Sequence, residues 1–172
     1  MKLDGTYLNY NTSNHFIKHT TSHEKFLFNI SPIYQQIKNK GIPLYPVLIH
    51  AIFTCVNQSP FLRMHLDETG EPGIWEHMDP SFTIFQEVDK QFSLLSTEYV
   101  PDFYDFYHLY RESIKEYLKD PMRFSSIRLP DNSFCICSLP REIYSYYSNI
   151  FSLDPHFLKP IFRVGRVSYH KG

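Results

Sequence analysis

At 172 residues the chain has the length of one ordinary domain and can bury a real core. Its formal net charge of −1, with no Lys/Arg run or basic stripe, excludes the electrostatic footprint of a nucleic-acid or anionic-membrane binder. The opening MKLDGTYLNYNTSNHF has no apolar signal core and no later run approaches a membrane span, so a soluble cytoplasmic protein is expected.

Residues 1–25 are polar and rich in Asn, Thr, Ser and His, with Tyr7, Tyr10 and Phe16 as their anchors. Phe26 to Ile30 reads as extended. Ser31-Pro32 then starts a helix with Ile33 and Ile37 on one face and Gly41 as its stop. The next helix begins near Tyr45-Pro46 and is almost wholly apolar through Val56, which predicts burial on nearly all sides beneath a sheet.

Phe61 to Leu66, a Gly/Pro turn at Gly70 to Gly73, and the runs Ile74 to Met78 and Phe82 to Phe85 read as an antiparallel meander. Pro101-Asp102 opens a long helix to about Lys119, with Phe103, Phe106, Tyr107, Tyr110, Ile114, Tyr117 and Leu118 at three- and four-residue steps. Pro121 ends it. Pro130-Asp131-Asn132 leads into a strand from Ser133 to Leu139, and Pro160 to Tyr169 is the last predicted strand. Without repeats, linkers or compositional breaks, residues 1–172 are expected to form one α+β domain.

Three cysteines, Cys55, Cys135 and Cys137, lack CxxC spacing and predict a reduced protein. Cys135 and Cys137 are read as pointing to opposite faces of their strand, poorly placed to pair. His108 and Glu112 share a helix face, but no HExxH pattern supplies a third ligand and no metal site is expected. His50 reads as a hydrogen-bonded core histidine, and His65 and His77 as surface residues.

The wording FLRMHLDETGEPGIWEHMDPSFTIF, with YPVLIHAIFTCVN before it and Phe92-Ser93-Leu94-Leu95-Ser96 after it, resembles the middle of the chloramphenicol acetyltransferase family. The resemblance extends from about Asn9 to the end. It implies a mixed β-sheet covered by helices on one side, the coenzyme A-dependent acyltransferase fold, in C-terminally shortened form. It also implies no required cofactor, with acetyl-CoA as co-substrate only if the protein is active.

In that family a histidine in an H-H-x-x-x-D-G motif removes the proton from a hydroxyl that attacks acetyl-CoA, work that suits the imidazole pKa. The motif is absent from these residues. The family's oxyanion-stabilising serine corresponds to Cys137 in CICSLP, and a thiol is the weaker donor. The family's N-W-x-R motif appears as Asn9-Tyr10-Asn11-Thr12, so its arginine is missing too. That arginine pairs with the motif's aspartate, and a buried charge without its partner is costly to keep.

These departures together are read as a lineage that has lost acetyl transfer and works by binding, as a homo-oligomer or through a protein partner at an exposed sheet edge. The alternatives are an acetyl-CoA-dependent O-acetyltransferase of chloramphenicol or a similar alcohol, whose base comes from elsewhere, and an inactive fragment of one. His19, aligned with a pocket-lining tyrosine of the family, Phe92 and Cys137 are the substrate-pocket candidates. Each has an ordinary explanation beside it: an exposed arm histidine, a core ring, a small buried thiol.

Overall fold

The structure, a computed structural model, describes residues 28–86, 91–121, 129–138 and 159–165. Its first helix, α1 (Ser31–Asn39), carries Pro32 in its first turn, where a missing N–H is harmless. Asn29 Oδ1 accepts the Ser31 N–H at 3.0 Å. Gly41 follows α1 with φ +65, the left-handed conformation that glycine takes without a Cβ penalty, and its N–H reaches the Lys38 carbonyl. Ile37 is buried, whereas Ile33, expected beside it, is half exposed.

The apolar helix α2 spans Leu44–Gln58. Only Pro46, Ile49, Phe53 and Val56 are buried on it, one stripe at three- and four-residue steps, and Ala51 and Cys55 are exposed. The expected burial on nearly all sides is thus corrected. Ala and Cys are apolar but small, and leaving them in water costs little.

The predicted meander also divides. Pro60 starts a 3₁₀ turn over Pro60–Arg63, so the first strand is shortened to β1 (Met64–Leu66). It pairs antiparallel with β2 (Pro72–Ile74) across a turn held by Asp67, whose Oδ1 accepts the N–H groups of Thr69 and Glu71. The third run is in another sheet. There β3 (Asp79–Gln86) runs antiparallel to β4 (Gln91–Ser96) and parallel to β5 (Ser133–Ser138), and β5 runs parallel to β6 (Ile161–Val164). The order is β4-β3-β5-β6. The long helix α3 (Phe103–Lys119) lies between β4 and β5 in sequence, and Asp102 caps it by accepting the Tyr104 and Asp105 N–H groups at 2.7 and 3.1 Å.

Period-two alternation sorts the sheet into two faces. Leu95, Phe82, Ile136 and Phe162 are successive register partners, so they form one row across all four strands. Phe82, Leu95 and Ile136 pack with Ile49, Phe53 and Val56 of α2 and with Phe106, Tyr110 and Tyr117 of α3 in a single core. The mixed sheet is therefore helix-covered on this face, as expected. The neighbouring row, Ser96, Ser81, Cys135 and Ile161, belongs to the other face.

Candidate functional site

The face opposite α2 and α3 carries the pocket candidates that fall within the described residues. Phe92 on β4 is the register partner of Phe85, their ring centroids 5.0 Å apart. Cys137 on β5 is 2% exposed and clusters with Cys135, with Phe92, Leu94 and Ile161 packed against the pair. Two positions chosen separately from the sequence thus meet in one cluster on this face. His19 and the Asn9-Tyr10-Asn11-Thr12 stretch lie outside the described residues.

Cys135 and Cys137 do not point apart. Residues at i and i+2 share a face because the strand's side-chain period is two, and the two Sγ atoms stand 3.2 Å apart. The expectation of opposite faces is corrected on that ground. Both thiols are free. The contact holds the Cys137 thiol below its usual pKa, chiefly through the Cys135 hydrogen bond and further through Arg163, against the opposing effect of burial. Cys135 is pushed the other way by the same hydrogen bond and by burial. Either sulfur can be the donor in this contact.

Residues that sequence reasoning passed over complete the surroundings. Arg163 is the β6 register partner of Cys137. On β3, the Ser81 hydroxyl donates to the Phe134 carbonyl at 2.7 Å, and Thr83 Oγ1 accepts the Ser138 N–H at 3.0 Å, which ties the strand end beside Cys137 to its neighbour. Tyr45 of α2 reaches the same end of β5 and donates its hydroxyl to the Ile136 carbonyl at 3.2 Å. Burial raises the Tyr45 pKa, with the Thr83 hydrogen bond acting against it. Alternation alone would have placed Cys135 with Cys137. Arg163 and Thr83 carried no such signal, because their placement depends on a strand register that pairs distant segments.

The histidines divide as follows. His50 is half-buried, its Nε2 3.0 Å from the Pro101 carbonyl and its ring edge-on to Phe53, which agrees with a hydrogen-bonded packing role. His77 is exposed, but His65 is half-buried and stacks on Trp75 at 4.1 Å, so its reading as a surface residue is corrected. His108 and Glu112 line a hollow on α3 with Tyr104, Tyr107 and Arg111, well away from the sheet face in sequence and element. Among the described residues no group of three His, Cys, Asp or Glu side chains could hold a metal ion, and no helix is long and apolar enough to cross a membrane.

Residues 8–172 match the family model described as chloramphenicol acetyltransferase. A chloramphenicol acetyltransferase of Clostridium perfringens is 36% identical over 139 residues, 80% of this chain and 63% of that protein. One from Staphylococcus aureus is 29% identical over 154 residues, covering 89% of this chain and 74% of the relative. A solved chloramphenicol acetyltransferase structure superposes with a TM-score of 0.60 at 16% identity, over 81% of this chain and 67% of the other, a likeness of fold. The chain spans about 63% of the length of its Clostridium relative. The shared sheet and the match over nearly the whole chain lead to one conclusion: this protein belongs to the chloramphenicol acetyltransferase family.

Proposed function

We propose that the protein transfers the acetyl group of acetyl-CoA to a hydroxyl of chloramphenicol or a similar alcohol. The observation that carries this reading is the meeting of Phe92 and Cys137 in one cluster on a single sheet face, within the stretch matched by the family model. The relatives in Clostridium and Staphylococcus bear the acetyltransferase name, which supports the enzyme over the non-catalytic binding oligomer suggested by the absent H-H-x-x-x-D-G motif. The binding reading draws no support from the comparisons.

In the proposed reaction the alcohol oxygen attacks the thioester carbonyl carbon while a base takes its proton, and the tetrahedral intermediate expels the thiol of coenzyme A. The oxygen that becomes negative needs a donor placed before the charge develops. Cys137 is the proposed donor, its sulfur 3.2 Å from that of Cys135. Phe92 is proposed as pocket wall. His19 is the first candidate base among the residues given. A homo-oligomer in the cytoplasm, built from one domain per chain, is part of the same proposal, with a sheet edge as the contact, β4 and β6 being the outer strands among the described residues.

The test is formation of acetylated chloramphenicol by the purified protein at high enzyme concentration, followed by mass spectrometry with acetyl-CoA present and absent. Product that requires both substrates and exceeds a matched contaminant control is the expected result. A folded protein that makes none over a day overturns the reading and restores the binding alternative.

A further inference from the structure

We propose that Cys135 and Cys137 form a dithiol modification site that a peroxide closes to an intrachain disulfide. The geometry is specific. Both side chains leave the same face of β5, and the sulfurs are 3.2 Å apart, against about 2.05 Å for a formed S–S bond. Phe92, Leu94 and Ile161 pack against them, and Ser81 and Arg163 are the register partners of Cys135 and Cys137. The third cysteine, Cys55, is exposed on a helix whose buried stripe faces the opposite side of the sheet. Cys135 is thus the partner in place for an oxidised Cys137.

The step balances with hydrogen peroxide as the named oxidant. The Cys137 thiolate attacks one peroxide oxygen, the O–O bond breaks, and the leaving hydroxide takes a proton to become water, leaving a sulfenic acid. The Cys135 sulfur then attacks the Cys137 sulfur, the S–O bond breaks, and the departing hydroxide leaves as a second water with the Cys135 proton. Two electrons pass from the sulfurs to the peroxide. The assignment of attacker and resolver follows the hydrogen bond and Arg163, both of which favour negative charge on Cys137.

Strand geometry sets the character of the link. A rise of about 3.3 Å per residue spaces the two Cα atoms by about 6.6 Å, near the upper limit that a disulfide spans. The closed form is therefore readily reduced, and the site is reversible. Closing it also removes the S–H that Cys137 would offer an oxyanion, a consequence that rests on the acetyltransferase reading, whereas disulfide formation does not.

The experiment uses the full chain carrying Cys55→Ala, treated folded with hydrogen peroxide, quenched with catalase, unfolded and alkylated with N-ethylmaleimide. The expected product has lost two hydrogens, takes up no maleimide, yields a Cys135–Cys137 linked peptide, and regains both thiols with dithiothreitol. Two alkylated thiols after treatment, or a sulfinic acid on one cysteine beside an intact thiol on the other, would overturn the proposal. Cys135→Ser adds a second reading: without its resolver, Cys137 is expected to accumulate as sulfenic and then sulfinic acid. If that variant does not fold, the linked peptide from the parent decides alone. Neither readout involves acetyl transfer, so failure of the enzyme reading and failure of this one are seen separately.

Discussion

Asn57 holds the main chain of Met78 from both sides: its Nδ2 donates to the Met78 carbonyl at 2.9 Å and its Oδ1 accepts the Met78 N–H at 2.8 Å. The same Nδ2 also reaches the Phe53 carbonyl at 2.9 Å within α2. One carboxamide thereby joins the end of α2 to the residue just before β3. Met78 is fully buried, so its main-chain groups have no ready substitute in water. Asn57→Ala is expected to cost about 1–3 kcal/mol, the penalty for stranding buried polar groups, and Asn57→Asp to cost a similar amount by removing the donor. Urea unfolding followed by circular dichroism measures both, and a loss below a few tenths of a kcal/mol for Asn57→Ala would contradict the assignment.

Tyr110 gives a pH dependence. Burial, aided by Tyr107, raises its pKa from 10.0 to about 12, and burial raises that of Tyr45 as well. The folded state then holds a proton that the unfolded chain gives up near pH 10. This contribution to stability is fully present below that pH and is lost as the pH climbs toward about 12. Urea midpoints at pH 8, 10 and 11 are expected to fall across the upper interval. Tyr110→Phe, which cannot ionise, is expected to fall less steeply, and an identical slope would refute the cause.

Cys137 separates donor strength from packing. If its S–H stabilises an oxyanion, Cys137→Ser places a stronger donor at the same position and raises kcat several-fold with little change in KM. Cys137→Ala removes the donor and lowers kcat, by less than the roughly hundredfold typical of losing a hydroxyl or amide donor. Steady-state kinetics on acetyl-CoA and chloramphenicol distinguishes these outcomes. Equal rates for serine and alanine would remove Cys137 from the chemistry.

Asp102 tests a contribution made by one side chain to one helix. Its carboxylate takes two N–H groups at the start of α3, the helix that supplies Phe106, Tyr110 and Tyr117 to the core. Asp102→Ala is expected to cost about 0.5–2 kcal/mol, and Asp102→Asn much less, because the amide oxygen can also cap. Thermal melts of the two variants against the parent provide the comparison.

The helices were legible because their signals are local. Ser31-Pro32 and Gly41 bracket α1, and Asp102 with the aromatic stripe from Phe103 to Tyr117 defines α3, all within a few residues of where they act. The sheet was legible in strands but not in partners. Phe82 and Ile136 lie side by side although 54 residues separate them, and only tertiary packing decides that β3 leaves the hairpin to join β5. The site shows the same division. Phe92 and Cys137 were reachable from family resemblance, and Cys135 from strand alternation properly applied. Arg163 depended on the register of β6 against β5 and had no local trace.

Trp75 is the sole tryptophan, and just past β2 its ring stacks on His65 of β1 at an interplanar angle of 21° while packing against the main core. Its emission therefore belongs to the seam where the two-stranded ribbon meets the main core. Two-stranded ribbons are weakly cooperative by themselves. A fluorescence melt of this protein will report the parting of the ribbon from the core, and the loss of helices α2 and α3 is to be followed by far-ultraviolet dichroism.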